Sequence, residues 1–373
     1  MKTILIAEKN LKDRRSGVPR IVYQQIQYFC KLGYKVYVIA ERINKNDVKK
    51  SGGIPIKTFR WPISGYFRRL IYNWQVNLLV HRIHPDLIIG HGDIFCQDIL
   101  YIHNCVHLAH ERIYGEPLSQ KKSIGRIHSK ILSSQNFKML VCNSQLMRQE
   151  FFTRFGIEKA QMKVIYPKFD PNKFNIDDRQ RLRPVVRQQY NIDDDTVFIG
   201  LITSGNFKKR NVSLFIDIIN ALYKNKRRTK IKALVAGKNN DPSYAKRVSE
   251  LGLDNIVKFA PSINDVEKYY FAIDIFVLPA HIEEFGLSVL EAMICGNPVI
   301  VSDRVGASEV MKDKSRDYIV SQVNTNAYVD KIVSLIDSVE LRNELGLHNH
   351  KTAQKFSAIN KNEAFAQLLD KMT

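Results

Sequence analysis

The stretch that most constrains the fold of this chain is residues 274–309. The apolar run Ile275–Leu278 predicts a buried strand, which Pro279 ends. An acidic loop follows, and apolar residues at helical spacing predict a helix that ends at Gly296. A second apolar run at 299–301 predicts the next strand. This order is a repeating unit of an α/β sheet, and such sheets bind ligands beside the carboxyl ends of their strands.

Two carboxylates frame the loop, with Glu283 before the helix and Glu291 inside it. The start of a helix offers unpaired N–H groups, so the backbone of Phe285, Gly286 and Leu287 can receive an anion such as a diphosphate. Glu291 is spaced to accept hydrogen bonds from ribose hydroxyls, and Glu283 from the hydroxyls of a sugar. The pattern indicates a pocket for a nucleoside-diphosphate sugar, although solvated surface carboxylates would show the same spacing.

The same segment resembles the signature of the retaining glycosyltransferases of family 4, which have the GT-B fold. In that family a Glu-x7-Glu pair is followed by Ala-Met, Gly-x-Pro-Val and Gly-x-x-Glu. The matching residues are Glu283, Phe285, Gly286, Leu287, Glu291, Ala292, Met293, Gly296, Pro298, Val299, Gly306 and Glu309. Glu284 departs from the pattern, because the family usually has glycine there. The resemblance implies an α/β protein of two Rossmann-like domains that face each other across a cleft.

The length of 373 residues is sufficient for two such domains. Apolar runs alternate with helical segments, but the first βαβ unit lacks the G-x-G-x-x-G motif, so a dinucleotide site is not indicated. We expect an N-terminal acceptor-binding domain in residues 1–175 and a C-terminal nucleotide-sugar-binding domain in residues 176–350. Similar proteins return their last helix to the first domain, and we expect the same of residues 351–373.

A basic loop early in the second domain is a second candidate for phosphate binding. It contains Gly205, Lys208, Lys209 and Arg210 before a predicted helix. Arginine and lysine both suit phosphate oxygens, although such a loop can also be merely solvated. The family usually presents an arginine and a Lys-Gly pair here. Lys209 and Arg210 align with those two cations, and Asn211 replaces the glycine.

Two residues of the first half are singled out by the resemblance alone. Gly17, within Ser16-Gly17-Val18-Pro19-Arg20, matches a family glycine that approaches donor and acceptor. His103, at a predicted strand end, matches a histidine beside the reacting sugar carbon. The expected catalytic residues are therefore His103, Glu283, Lys209 and Arg210.

The histidine-rich run after this strand also raises the question of a metal site. His103, His107, His110 and Glu111 lie close in sequence, and two histidines four apart on a helix can bind zinc. No HExxH motif is present, so the sequence favours catalysis without a metal ion and without a cofactor.

The formal net charge of +20 predicts an anionic partner. No helix-turn-helix, zinc-finger or RNP motif occurs, so we expect no nucleic acid partner. Residues 66–83 predict an amphipathic helix. Its start would contact a membrane surface through Tyr66, Phe67, Arg68 and Arg69. A second basic surface could come from Lys121, Lys122, Arg126 and Lys130. Alternatively, the apolar residues of the helix simply pack on the sheet: Leu70, Ile71, Trp74, Leu78 and Leu79.

The five cysteines are scattered and mostly flanked by apolar residues, so they predict reduced core thiols. The apolar part of the N-terminus is too short for a signal peptide. No run reaches the roughly 20 apolar residues of a spanning helix. We expect a cytoplasmic protein that associates peripherally with the inner face of the cell membrane.

The expected function is retaining, metal-independent transfer of a sugar from a UDP- or GDP-sugar. The expected acceptor is a hydroxyl of an anionic saccharide or glycolipid, with lipopolysaccharide core as first candidate and capsule or another polysaccharide as alternatives. Two other classes remain open. A nucleotide-sugar epimerase of the same architecture would turn over the donor without an acceptor. A non-catalytic polyanion-binding protein would bind in a salt-dependent way without nucleotide preference.

Overall fold

The structure, a computed structural model, describes residues 2–12, 17–224, 230–239, 241–261 and 265–357. Within these described residues, the chain forms two compact units, the first ending at Ile165 and the second beginning at Tyr166. The division falls shortly before the predicted boundary at residue 175. Residues 358–373, most of the predicted returning helix, lie outside the described residues.

The first unit is built around a parallel sheet. Its strands are β1 (Thr3–Ala7), β2 (Asn10–Leu11), β3 (Lys35–Ala40), β4 (Arg42–Ile43), β5 (Ile54–Lys57), β6 (Leu87–Gly90), β7 (Ile99–Tyr101), β8 (Met139–Cys142) and β9 (Met162–Val164). Its helices are α1 (Gly17–Lys31), α2 (Lys45–Lys50), α3 (Tyr66–Ile83), α4 (Val106–Tyr114), α5 (Ser123–Ser134) and α6 (Gln145–Phe155). The main sheet has the order β5-β3-β1-β6-β7-β8-β9, and β2 pairs separately with β4.

The second unit repeats this plan. Its strands are β10 (Val197–Ile202), β11 (Ile231–Ala236), β12 (Val257–Ala260), β13 (Ile275–Leu278), β14 (Val299–Ser302) and β15 (Ile319–Val320). Its helices are α7 (Arg179–Gln189), α8 (Val212–Lys224), α9 (Ser243–Glu250), α10 (Val266–Ala272), α11 (Leu287–Ile294), α12 (Thr325–Asp337) and α13 (Val339–Gln354). The sheet is parallel throughout, in the order β12-β11-β10-β13-β14-β15.

The order of strands creates a switch point in each sheet. The chain runs outward from β1 to β5 before it returns to β6, and from β10 to β12 before it returns to β13. The loops after β1 and β6, and those after β10 and β13, therefore diverge at the sheet edge and leave a crevice. All residues of β10 and β13 are buried, as expected for strands covered by helices on both faces.

The apolar runs located the strands well. The strand predicted at 275–278 begins and ends as expected, the strand predicted at 299–301 is β14, and the helix predicted at 66–83 is α3. Parallel strands buried on both faces appear in sequence as continuous apolar runs, which explains why they are easy to recognise.

The prediction of which residues of α3 pack on the sheet was right for Leu79 but wrong for Trp74 and Leu78. Trp74 is 61% exposed and Leu78 is 50% exposed, whereas Tyr72 and Val76 are buried. Tyr72 packs with Leu5 and other residues of the sheet and donates a hydrogen bond from its hydroxyl to the carbonyl of Ile39, at 3.0 Å. Because apolar residues occur all round this helix, the sequence pattern did not distinguish the packed face.

The prediction that Arg68 and Arg69 project toward a membrane was also wrong. Arg68 forms an ion pair with Glu41, at 3.3 Å, and Arg69 with Asp93, at 2.5 Å. Each arginine side chain is 17% exposed. Both carboxylates lie just after strands of the first sheet, so they draw the two guanidinium groups inward.

Helix α13 continues past residue 350, and the carbonyl of Phe356 accepts a hydrogen bond from the amide of Phe169, so residues 351–357 lie in the second unit. The return of the last helix to the first domain stays a prediction, because residues 358–373 lie outside the described residues. One smaller expectation needs correction. Cys105, Cys142 and Cys295 are buried thiols as predicted, but Cys96 is exposed.

The carboxylate of Asp274 connects several elements of the second unit. Asp274 forms ion pairs with Arg183, at 2.6 Å, and with Arg187, at 3.1 Å. It also accepts a hydrogen bond from the amide of Phe198 at 2.7 Å. The Arg187 side chain is buried and donates further hydrogen bonds to the carbonyls of Ala272 and Thr196. Asp274 therefore joins α7 to the start of both central strands.

We expect Asp274→Ala to lower the free energy of unfolding of the second unit by about 3 kcal/mol, because it leaves a buried guanidinium without its counter-ion. Calorimetric unfolding of the full chain measures this effect. The control Asp254→Ala removes an exposed carboxylate and should cost less than about 0.5 kcal/mol. Equal losses in the two variants would contradict the assigned role of Asp274.

Candidate active site

The switch point of the second sheet brings two loops side by side. One follows β10 and carries Lys209 and Arg210, and the other follows β13 and carries Glu283 and Glu284. They are joined at the backbone, where the amide of His281 donates a hydrogen bond to the carbonyl of Lys209, at 3.0 Å. The two predicted phosphate-binding and sugar-binding segments therefore meet at one place.

Two ion pairs cross between these loops. The Lys209 ammonium donates a hydrogen bond to Glu284 Oε2, and both residues are buried, with exposed fractions of 8% and 3%. Arg210 Nη2 lies 2.6 Å from Glu283 Oε2. This second contact is close but poorly directed, so Glu283 Oε2 has no hydrogen-bond donor among the described residues.

Burial is the main influence on Glu283. It raises the pKa of this carboxyl group above the ordinary value of 4.5, while Arg210 and Lys209 oppose the increase and Glu284 adds to it. The adjacent cations therefore determine how readily Glu283 stays ionised.

A glycine shapes the turn between Glu283 and α11. Gly286 has a φ of +90°, and a Cβ atom there would lie 3.0 Å from Glu283 Cγ and 3.1 Å from a methyl carbon of Val305. Both the backbone conformation and the close packing therefore require glycine. Phe285 is buried, and Leu287 opens α11. A ligand would thus meet the backbone N–H groups of this turn rather than the Phe285 ring.

Glu291 lies on α11 and is oriented from a neighbouring helix. The Tyr270 hydroxyl donates a hydrogen bond to Glu291 Oε2, at 3.1 Å. Burial, reinforced by Glu291, raises the pKa of Tyr270 well above its ordinary value, so the phenol keeps its proton. The carbonyl of Tyr270 accepts from Asn297 Nδ2, and the carbonyl of Asn297 accepts from Asn349 Nδ2 on α13, each at 2.8 Å. This polar chain connects Glu291 with the last described helix.

Further cations surround the two ion pairs. Burial lowers the pKa of His281, and the nearby Arg304 and Lys208 lower it further. Arg304 also holds the loop of Glu283, because its carbonyl accepts the Glu283 amide hydrogen at 3.0 Å.

A second glycine is required in the loop after β10. Gly205 has a φ of +136°, and a Cβ atom there would lie 2.8 Å from the carbonyl oxygen of Lys238.

The predicted residue His103 belongs to the first unit and is part of a ring stack. His91 Nδ1 lies 2.9 Å from His103 Nε2, and His91 Nε2 lies 3.0 Å from Gln25 Oε1. The His91 ring stacks on both Tyr101 and His103. Burial, with a contribution from His103, lowers the pKa of His91 well below its ordinary value. His91 therefore stays neutral, and its hydrogen bonds orient His103.

Gly17 is the first residue of α1 and is exposed. A Cβ atom there would meet nothing within 4 Å, so packing does not explain the glycine.

The histidines after β7 have separate partners: His107 lies 3.0 Å from Ser129 Oγ, and His110 lies 3.7 Å from Glu116. Among the described residues, no group of three His, Cys, Asp or Glu side chains is arranged to hold a metal ion.

Several site residues were missed by the sequence analysis. Tyr270, Arg304 and His91 each come from a different element than the residue they support. Tyr270 and Arg304 carried no recognisable signal. His91 directly follows the apolar run of β6, and the end of such a strand is the position at which ligand-facing residues of α/β sheets occur.

Comparison with known proteins agrees with this fold. Residues 15–173 match the family model described as Glycosyltransferase Family 4, and residues 183–352 match the one described as Glycosyl transferases group 1. Two Rossmann-like parallel α/β units with these matches define a protein of the GT-B fold. The chain belongs to glycosyltransferase family 4.

Sequence relatives align over part of the chain. An uncharacterized glycosyltransferase of Methanocaldococcus jannaschii is 27% identical over 209 residues, which are 54% of this chain and 53% of that protein. The lipopolysaccharide core biosynthesis mannosyltransferase LpsB of Rhizobium meliloti is 30% identical over 154 residues, which are 39% of this chain and 43% of that protein. The chain thus spans about half the length of the curated relatives it matches.

Solved structures align over nearly the whole chain and show the fold. WaaG, a glycosyltransferase involved in lipopolysaccharide biosynthesis, superimposes with a TM-score of 0.79 at 16% identity, covering 94% of this chain and 95% of that one. Anabaena HepE, solved in complex with UDP and glucose, gives a TM-score of 0.76 at 18% identity and covers both chains fully, at 100% each.

We expect Gly286→Ala to lower the free energy of unfolding by about 2 kcal/mol, because it combines a left-handed backbone conformation with a clash against Glu283. Gly252→Ala is a matched control, since Gly252 has a φ of +67° but an added Cβ would meet nothing within 4 Å. Thermal unfolding compares the two. If Gly286→Ala is no less stable than Gly252→Ala, the close packing around Glu283 does not matter.

Proposed function

We propose that this chain transfers a sugar from a nucleoside-diphosphate sugar to a hydroxyl acceptor with retention of the anomeric configuration. The observation that carries the proposal is the meeting of Lys209 and Arg210 with Glu283 and Glu284 beside the start of α11. An activated sugar needs cations at its diphosphate and hydrogen-bond acceptors at its hydroxyls. This switch point offers both.

We assign each part of the donor to the residues whose side chains or backbone groups suit its chemistry. Arg210, Lys208 and the loop at Gly205 would hold the diphosphate, together with the backbone N–H groups at residues 285–287. Glu291, oriented by Tyr270, would accept hydrogen bonds from the ribose. Glu283 would bind the hydroxyls of the transferred sugar. HepE is solved with UDP and glucose, which supports a UDP-sugar as donor, and a GDP-sugar is the alternative.

The proposed mechanism depends on electrostatic stabilisation of the leaving group. Negative charge grows on the diphosphate as the sugar departs, and Arg210 and the start of α11 would stabilise this charge. In this scheme the acceptor oxygen forms its bond to the sugar carbon on the same face from which the diphosphate leaves, so no protein nucleophile is required. The departing phosphate takes the proton of the acceptor hydroxyl. His103 and Gly17 are assigned to contacts with the reacting sugar and the acceptor on the family resemblance alone.

The acceptor is proposed to be an anionic saccharide or glycolipid. The net charge of +20 favours such a partner. WaaG and LpsB are both named for lipopolysaccharide biosynthesis, which makes lipopolysaccharide core our first candidate.

We assign the membrane contact to an apolar patch formed by Phe59, Trp61, Ile63 and Phe67. Trp61 packs edge to face against Phe59 and Phe67, with ring centroids 6.3 and 6.0 Å apart. Phe67 is 63% exposed and Ile63 is 69% exposed. None of the described helices combines the length and hydropathy that crossing a bilayer requires. The proposed association is therefore peripheral, by insertion of these side chains into the inner face of the cell membrane.

Nucleotide binding tests the donor assignment. UDP or GDP should raise the melting temperature of the chain, and Glu291→Ala should weaken that binding about tenfold by removing hydrogen bonds to a charged acceptor. Glu250→Ala, an exposed helical glutamate on α9, is the control and should bind like the native chain. A chain that no nucleoside diphosphate stabilises would contradict the proposal. Turnover of donor without an acceptor would favour an epimerase instead.

Membrane association has its own test. The double substitution Trp61→Ser with Phe67→Ser should reduce sedimentation with vesicles containing phosphatidylglycerol at least about tenfold, because it removes two apolar anchors. Leu347→Ser replaces a similarly exposed apolar residue on α13 and should leave sedimentation unchanged. Equal binding of the native chain and the double variant would show that the patch is not the anchor.

A further inference from the structure

We infer that Lys209 is a positioning residue that neutralises the buried Glu284, so that Arg210 is the cation of this pair that contacts the diphosphate. The inference rests on the proposed function and deepens it, because it divides two neighbouring cations into one structural and one ligand-facing group. It departs from the expectation that both contact phosphate.

The two ion pairs differ in how far their hydrogen bonding is complete. Lys209 donates directly to Glu284, and both residues are among the most buried charged groups of the chain. The Arg210 guanidinium makes no hydrogen bond among the described residues, although it lies 2.6 Å from Glu283 Oε2. Arg210 therefore keeps its five N–H donors for a ligand. We call the hydrogen-bonded Lys209–Glu284 pair the closed pair, and the Arg210–Glu283 pair, which lacks a directed hydrogen bond, the open pair.

The burial of the closed pair explains why Lys209 is a poor phosphate ligand. To reach a phosphate, its ammonium would have to leave Glu284, and an unpaired buried carboxylate costs several kcal/mol. Separating Arg210 from Glu283 does not break a well-formed hydrogen bond. A diphosphate would therefore recruit Arg210 and release Glu283 for a sugar hydroxyl.

Lys209 still affects the ligand, through Arg210. Glu283 and Glu284 are adjacent in sequence, as are Lys209 and Arg210, and each carboxylate forms an ion pair with one of these two cations. Without Lys209, the buried Glu284 would lose the ammonium that is paired with it and would compete with Glu283 for the Arg210 guanidinium, which has enough donors for both. Arg210 would then be drawn away from the diphosphate.

This division of roles makes a prediction that direct phosphate contact does not make. Replacing both members of a buried ion pair with apolar residues of similar size is often neutral, whereas removing one member is costly. The double variant Lys209→Met/Glu284→Met should therefore keep Arg210 in place. If Lys209 instead contacts the phosphate, the double variant should be as defective as Lys209→Met alone.

The readout is the preference for UDP over UMP, measured as the ratio of dissociation constants by calorimetry, because this ratio isolates the contact with the terminal phosphate. GDP and GMP replace them if guanine nucleotides bind. We expect Lys209→Met to reduce the ratio at least about tenfold, and the double variant to return to within about threefold of the native chain. Arg210→Met should lose the preference, and adding Glu284→Met to it should not restore it.

Three controls keep the outcome unambiguous. Lys209→Arg retains the charge and should retain most of the preference. An exposed lysine–glutamate pair on α9, Lys246 and Glu250, allows a matched double substitution to Met that should change nothing. If Lys209→Met does not fold, the double variant decides alone, since its preference is native-like only if Lys209 makes no essential phosphate contact.

The inference is overturned if the double variant loses the preference, or if folded Lys209→Met keeps it. A native chain that binds UDP and GDP no better than UMP and GMP would instead refute the proposed function itself, together with this inference. The failure of the donor assignment and the failure of this division of roles therefore give different results.

Discussion

The pairing of β10 with β13 is the constraint on which the rest of the site depends. The two strands are far apart in sequence, and Asp274 holds them together, since its amide donates to the carbonyl of Phe198 and its carboxylate accepts from the Phe198 amide, both at 2.7 Å. Because parallel strands end at the same edge, this pairing alone brings a basic loop against an acidic one. Neither loop would hold its charges in a buried position without the other.

Pairing of opposite charges offsets the free-energy cost of burying the side chains of these two loops. Burying four ionised side chains is unfavourable unless each finds an opposite charge, and even then the net gain in stability is small. The raised pKa of Glu283 shows that compensation is incomplete at the open pair. Sites that bind a highly charged ligand commonly retain such incompletely compensated groups, because the ligand completes the network. The departure of Glu284 from the family pattern is balanced by the lysine that faces it.

Sequence reasoning recovered most of the fold because parallel strands appear as unbroken apolar runs. It also placed Glu283 in the loop before α11 and Glu291 inside that helix, because both lie on one continuous segment. It failed for α3, where apolar residues surround the helix and only the position of the sheet selects Tyr72 over Trp74. It also failed for partners supplied by other elements, such as Tyr270 and Arg304. Those contacts are set by topology, which periodicity along one segment does not contain.

The polar chain that ends on α13 has a consequence for how the second unit is assembled. Asn349 and Asn297 are fully buried and link the last described helix, through the backbone of Tyr270, to the carboxylate of Glu291. The carboxylate of Glu291 is thus held by a segment that the ribosome makes more than fifty residues later. During synthesis, the sheet can form before this support arrives, so the candidate site reaches its final shape only when α13 has docked.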